Sequence, residues 1–105
     1  LVDAGWMALS RDRGTAVFPV DQGYGIVCDE TGEPIDELIV ASCNQEHGII
    51  ARRDGSAFNL DDFPVGRLLR VLPNHACATA AQFPAYDVIN DARDVTARFS
   101  RIGGW

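Results

Sequence analysis

Glu37-Leu38-Ile39-Val40-Ala41-Ser42-Cys43-Asn44 and Ile49-Ile50-Ala51-Arg52-Arg53 flank a short link, Gln45-Glu46-His47-Gly48. Both flanking runs read as strands, with Leu38-Ile39-Val40 the core of the first. Branched aliphatic side chains suit a pleated, half-buried surface. The link itself has two readings. In one, His47 is a general base, a third metal ligand or an outer partner for another histidine. In the other, the link is a turn or bulge in which Gly48 supplies unusual backbone angles. Asp54-Gly55 follows as a hairpin signal.

The rest of the chain repeats this pattern. Tyr24 to Cys28 is short and rich in strand formers, and Asp29 to Pro34 is a turn. Arg67 to Leu72 reads as a buried strand. Tyr86–Ile89 and Val95–Ile102 read as the arms of a hairpin around Asn90–Arg93. In the second arm Val95, Ala97 and Phe99 alternate with Thr96, Arg98 and Ser100, the mark of a half-buried strand. Val2 to Ser10 is compatible with a further strand. The helical stretch is the alanine-rich Ala76 to Gln82, ended by Phe83-Pro84. Strands at roughly ten-residue spacing predict an all-β fold, a mainly antiparallel barrel or sandwich. One short helix is expected within it. A parallel α/β sheet would need long helical periods between strands, and there are none.

Composition narrows the function. The 105 residues suit one domain, spanning 1–105. The formal net charge is −6 and the nine cationic residues are dispersed, which argues against nucleic acid and membrane surfaces as partners. All nine are arginine. Without lysine the chain forms no Schiff base with a carbonyl substrate or with pyridoxal phosphate, and it has no phosphate-cradling GxxxxGK[ST] loop. Three scattered cysteines point to reduced thiols and a cytoplasmic protein. No apolar run approaches the ~20 residues of a membrane span, and no secretory signal is visible. The opening Leu1-Val2-Asp3-Ala4-Gly5 reads as the middle of a longer chain.

The chemistry concentrates in Leu72-Pro73-Asn74-His75-Ala76-Cys77-Ala78-Thr79. On an extended segment His75 and Cys77, two apart, point to the same side. Imidazole nitrogen and thiolate sulfur are favoured zinc ligands. Pro73-Asn74 stops the preceding strand and sets the pair at its exit. Two protein ligands leave positions open for water or substrate, as in a catalytic ion site. Spacing alone leaves open the alternative that Cys77 is a buried small hydrophobe and His75 a satisfied surface or core residue. A thiol nucleophile paired with either histidine lacks an orienting third residue. Asp61-Asp62 and Asp91/Asp94 read as solvated turns and strand ends.

Taken in order, Asp3-Ala4-Gly5, Ala8-Leu9-Ser10, Glu46-His47-Gly48, Val65-Gly66 and Pro73-Asn74-His75-Ala76-Cys77 resemble the C-terminal domain of the D-serine dehydratase and D-threonine aldolase family. The resemblance runs from about Val2 to Trp105, and Pro-Asn-His-x-Cys is its most specific part. It implies an alanine-racemase-like parent. An N-terminal barrel domain would hold pyridoxal phosphate on a lysine, and this β-domain would close the site, in a homo-oligomer. It further implies that His75 and Cys77 bind zinc or another divalent ion, which contacts the β-hydroxyl of a small D-amino acid substrate. Cysteine at the second ligand position leans towards the dehydratases. The implied chemistry is coherent: hydroxide is a poor leaving group, a Lewis acid stabilises it, and the pyridoxal ring is the electron sink.

His47, as the general base of the first reading of its link, is the candidate catalytic residue. The chain alone is expected to be inactive, having no lysine. Trp6, Trp105 and the aromatics near Phe83 are expected to form an apolar surface for the missing domain. The competing reading is a non-enzymatic β-barrel interaction domain with a structural metal or none.

Overall fold

Leu38, Ile39 and Val40 occupy the middle of β2 (Pro34–Cys43) and are all buried. A computed structural model describes residues 1–103 of the chain. Leu38 and Val40 share one face of the strand, because side chains alternate with period two. They join Val27 and Leu9 in the central cluster. Burying each of these side chains contributes roughly 1.5–3 kcal/mol.

Three strands pair with this centre. β1 (Gly25–Cys28) lies antiparallel to β2 with Ile26 opposite Ile39. β3 (Gly48–Arg52) lies antiparallel on the other edge with Ala51 opposite Ile39. β4 (Arg70–Pro73) lies antiparallel to β1 with Val71 opposite Val27. The order is β3-β2-β1-β4. A separate two-stranded sheet follows, β5 (Ala85–Ile89) against β6 (Val95–Ser100), with Tyr86 opposite Phe99. The all-β, antiparallel expectation holds. The four-stranded sheet is open, with β3 and β4 as edges, so no closed barrel forms among the described residues.

Two helices flank the sheet. α2 (Ala76–Ala81) forms on the alanine-rich stretch as expected, but it begins inside the His-x-Cys motif and takes in Cys77. α1 (Trp6–Leu9) stands where a strand was expected. Its cause is tertiary. The amides of Trp6 and Met7 donate to the carbonyls of Asn44 and Gln45, at 3.0 and 3.2 Å, and Leu9 turns into the core. Among the described residues no helix is long and apolar enough to cross a membrane.

Other expectations need correction. Asp54-Gly55 makes a turn, with Gly55 at φ 76°, but no strand returns along β3. A turn signal is local, and the following Ser56-Ala57-Phe58-Asn59 runs instead to a 3-10 turn at Leu60–Asp62. There Phe58 packs edge-on against Phe63, 5.3 Å between centroids, beside the core. β4 is shorter than the run that predicted it and only partly buried. The alternation in β6 is real, but Val95 and Phe99 remain 60% and 61% exposed, because no other element among the described residues covers that face. Trp105 lies outside the described residues.

Gly48 also differs from expectation. It is not among the glycines with positive φ. It is needed for close approach: a Cβ there would sit 2.6 Å from the Ala4 carbonyl oxygen. Its amide and carbonyl both pair with Val2, at 2.9 Å each. A Cβ on Gly5 would meet the Gln45 carbonyl oxygen at 2.4 Å. The Asp3-Ala4-Gly5 and Glu46-His47-Gly48 elements are therefore two sides of one tight backbone contact.

Candidate metal centre at the exit of strand β4

Pro73 is the last residue of β4 and carries no N–H to extend the ladder. Asn74 then anchors the exit. Its amide donates to the Tyr24 carbonyl at 3.0 Å. Its side-chain amide donates to the Gly23 carbonyl at 2.6 Å and to Thr15 Oγ1 at 2.7 Å.

His75 is the N-cap of α2, with φ −126° and ψ 110°. Its imidazole makes no capping bond, so the ring is not spent on the helix. Its carbonyl accepts from Thr79 Oγ1 at 3.2 Å. The side chain is 35% exposed, and Nε2 lies 3.8 Å from Asp12 Oδ2. Cys77 sits in the first turn of α2, exposed and with a free thiol. The pair therefore does not lie on an extended segment. The backbone is extended at His75 and helical from Ala76, so strand alternation does not relate the two side chains. Both stand at the start of one helix, and Cys77 is not the buried small hydrophobe of the alternative reading. Among the described residues no three His, Cys, Asp or Glu side chains group so as to hold an ion.

A polar network in the loop before β1 backs this exit. Arg13 forms an ion pair with Asp21 and lies over the Tyr24 ring, 5.4 Å from its centroid. The Gly23 amide, then the Arg13 guanidinium and the Thr15 hydroxyl, hold the Asp21 carboxyl below its ordinary range against partial burial. Thr15 Oγ1 accepts from the Gln22 amide at 2.9 Å. Only aspartate two residues before glycine hinted at this in the sequence, as an Asx turn; the partners come from distant parts of the loop.

His47 lies exposed in the β2–β3 link, where its carbonyl accepts from the Asn44 amide at 2.8 Å. Antiparallel order puts that link at the same end of the sheet as the β4 exit. The link joins β2 and β3, which stand two and three strand positions from β4. Cys28 is fully buried in β1, and burial, then Asp29 and Glu33, push its thiol up. Burial pushes the Cys43 thiol up as well. Asp61, Asp62, Asp91 and Asp94 are exposed, as read from the sequence.

Residues 1–89 match the family model described as "Putative serine dehydratase domain". D-threo-3-hydroxyaspartate dehydratase from Delftia sp. (strain HT23) is 52% identical over 107 residues, covering all of this chain and 28% of that protein. Its solved structure superposes with a TM-score of 0.87 at 52% identity, over 98% of this chain and 27% of that one. A cysteine-to-alanine variant of that dehydratase, described as the metal-free form, superposes with the same TM-score of 0.87 at 50% identity, with the same coverage of 98% and 27%. D-serine dehydratase from Dictyostelium discoideum is 33% identical over 108 residues, covering all of this chain and 26% of that protein. The chain thus spans about a quarter of these relatives. It belongs to the serine dehydratase domain family.

Proposed function

We propose that this chain is the metal-carrying, site-closing domain of a pyridoxal-phosphate-dependent lyase that dehydrates β-hydroxy D-amino acids. His75 and Cys77 are its ligands for zinc or another divalent ion. The observation that carries the proposal is an imidazole and an exposed thiol at the start of one helix, neither consumed by the fold. The donor set fits such an ion chemically, being one borderline nitrogen and one soft sulfur. A bound ion would act as a Lewis acid on the departing hydroxyl. The residues of this chain hold and aim it: His75 and Cys77 bind, and Asn74 fixes the backbone from which both project.

The relatives support the rest. Their names specify D-threo-3-hydroxyaspartate and D-serine, both β-hydroxy D-amino acids, and both are dehydratases, which favours elimination over aldol cleavage. The metal-free form of a cysteine variant supports a cysteine ligand. The chain has no lysine, so pyridoxal phosphate belongs to another domain, a barrel in the same parent. The exposed apolar side chains Phe83, Tyr86, Phe99 and Ile102 supply a surface for that domain.

Metal analysis of the full-length protein after dialysis tests the reading. Zinc is expected in the wild type and lost in His75→Ala, together with ammonia release from D-serine or D-threo-3-hydroxyaspartate. Equal metal content and activity in the two proteins would sink it.

A further inference from the structure

We infer that Asp12 is the positioning carboxylate of this centre, accepting a hydrogen bond from one His75 ring N–H so that the other ring nitrogen faces the ion. The inference rests on the metal reading above. Asp12 Oδ2 is 3.8 Å from His75 Nε2, one small side-chain adjustment from a hydrogen bond. Among the described residues no three such side chains group around one point, and Asp12 approaches the imidazole itself. A carboxylate one step back from the ion fixes the imidazole's tautomer and orientation and raises its basicity.

The backbone under Asp12 is built for this placement. Ser10 is 4% exposed and adopts φ 74°, ψ 157°, a conformation that residues other than glycine rarely take. Such strain persists only where the surroundings over-determine it, and it clusters at functional sites. The Ser10 hydroxyl accepts the Asp12 amide at 3.1 Å. The neighbouring Arg11 is drawn elsewhere, over the Trp6 ring at 5.2 Å. α1 packs against α2, which brings this turn beside the helix that starts after His75. The same loop holds the adjoining residue as well: Thr15, three positions on, bonds Asn74 at 2.7 Å. One loop thus meets two consecutive residues, bonding Asn74 through Thr15 and setting Asp12 beside His75.

The test is zinc affinity in the full-length protein, measured by competition with a chromophoric chelator. Asp12 is 72% exposed, so Asp12→Asn is expected to leave the circular dichroism spectrum and the pyridoxal absorbance unchanged. Its zinc affinity should fall about 10- to 100-fold, with partial recovery in Asp12→Glu. Asp36→Asn, which changes a carboxylate paired with Arg52 and not with His75, should match wild type. In cobalt-loaded protein the thiolate-to-cobalt band should persist in Asp12→Asn and vanish in Cys77→Ala, separating a supporting carboxylate from a ligand. Wild-type affinity in Asp12→Asn, with binding lost in His75→Ala, would overturn the role of Asp12 and spare the metal site. No zinc binding by the wild type, or none lost in His75→Ala, would overturn both.

Discussion

The side-chain amide of Asn74 donates to Thr15 Oγ1 at 2.7 Å, across 59 positions of sequence, and also to the Gly23 carbonyl at 2.6 Å. These bonds set where the backbone leaves β4, and hence where His75 and Cys77 begin. Gly23 is buried, so its carbonyl loses its partner without replacement if Asn74 is truncated. Asn74→Ala is expected to cost roughly 1–3 kcal/mol, the usual penalty for an unsatisfied buried group. Chemical denaturation measures this. Zinc affinity should fall with it, because the proposed ligands His75 and Cys77 lose their platform.

The three cysteines should separate cleanly. In the full-length protein Cys77→Ala is expected to lose the ion and to slow elimination about a hundred- to thousand-fold, the range for removing one electrostatic stabiliser. Pyridoxal absorbance should remain, since this chain has no lysine to hold that cofactor. Cys28→Ala and Cys43→Ala should keep both metal and rate. Cys77 is exposed and Cys28 fully buried, so a thiol reagent should modify the first in the native state and spare the second. Retained metal and rate in Cys77→Ala would remove it from the ligand set.

Glu46-His47-Gly48 offers a second contrast. Gly48→Ala forces a Cβ to within 2.6 Å of the Ala4 carbonyl and should destabilise by about 1–3 kcal/mol or more. His47 is exposed, and His47→Ala should leave the melting temperature nearly unchanged. Steady-state kinetics on that variant then isolates any chemical role. A rate loss without a stability loss would assign His47 to catalysis, and an unchanged rate would leave the element as a packing device.

Acid should loosen the loop that supports the centre. The Asp21 carboxyl is held below its ordinary 3.8, first by the Gly23 amide and also by Arg13 and Thr15. The native state therefore favours the ionised form. That contribution is fully present above the unfolded-state value and is lost as pH falls from about 3.8 through the lower folded-state value. Thermal melts between about pH 5 and 2 should show Asp21→Asn with a shallower acid decline than wild type. Parallel declines would rule out Asp21 as a contributor.

Sequence periodicity by itself determined the strands, because period-two alternation and branched aliphatic runs act over a few residues. The Leu38-Ile39-Val40 centre, the Tyr86–Ile89 and Val95–Ile102 hairpin and a short helix in the alanine-rich Ala76 to Gln82 were all legible that way. The residue types of the candidate centre were legible too, since imidazole beside thiol is a statement about chemistry. What only tertiary structure decided were features carried by long-range backbone contacts. α1 replaced a strand because the Asn44 and Gln45 carbonyls captured its first amides. Gly48 proved to be a close-approach glycine because Ala4 lies against it. His75 came to rest beside Asp12, and Asn74 beside Thr15, through a loop with no periodic pattern to announce it. Local propensity encodes which element forms; which polar side chains face each other across it is set by packing of segments dozens of residues apart.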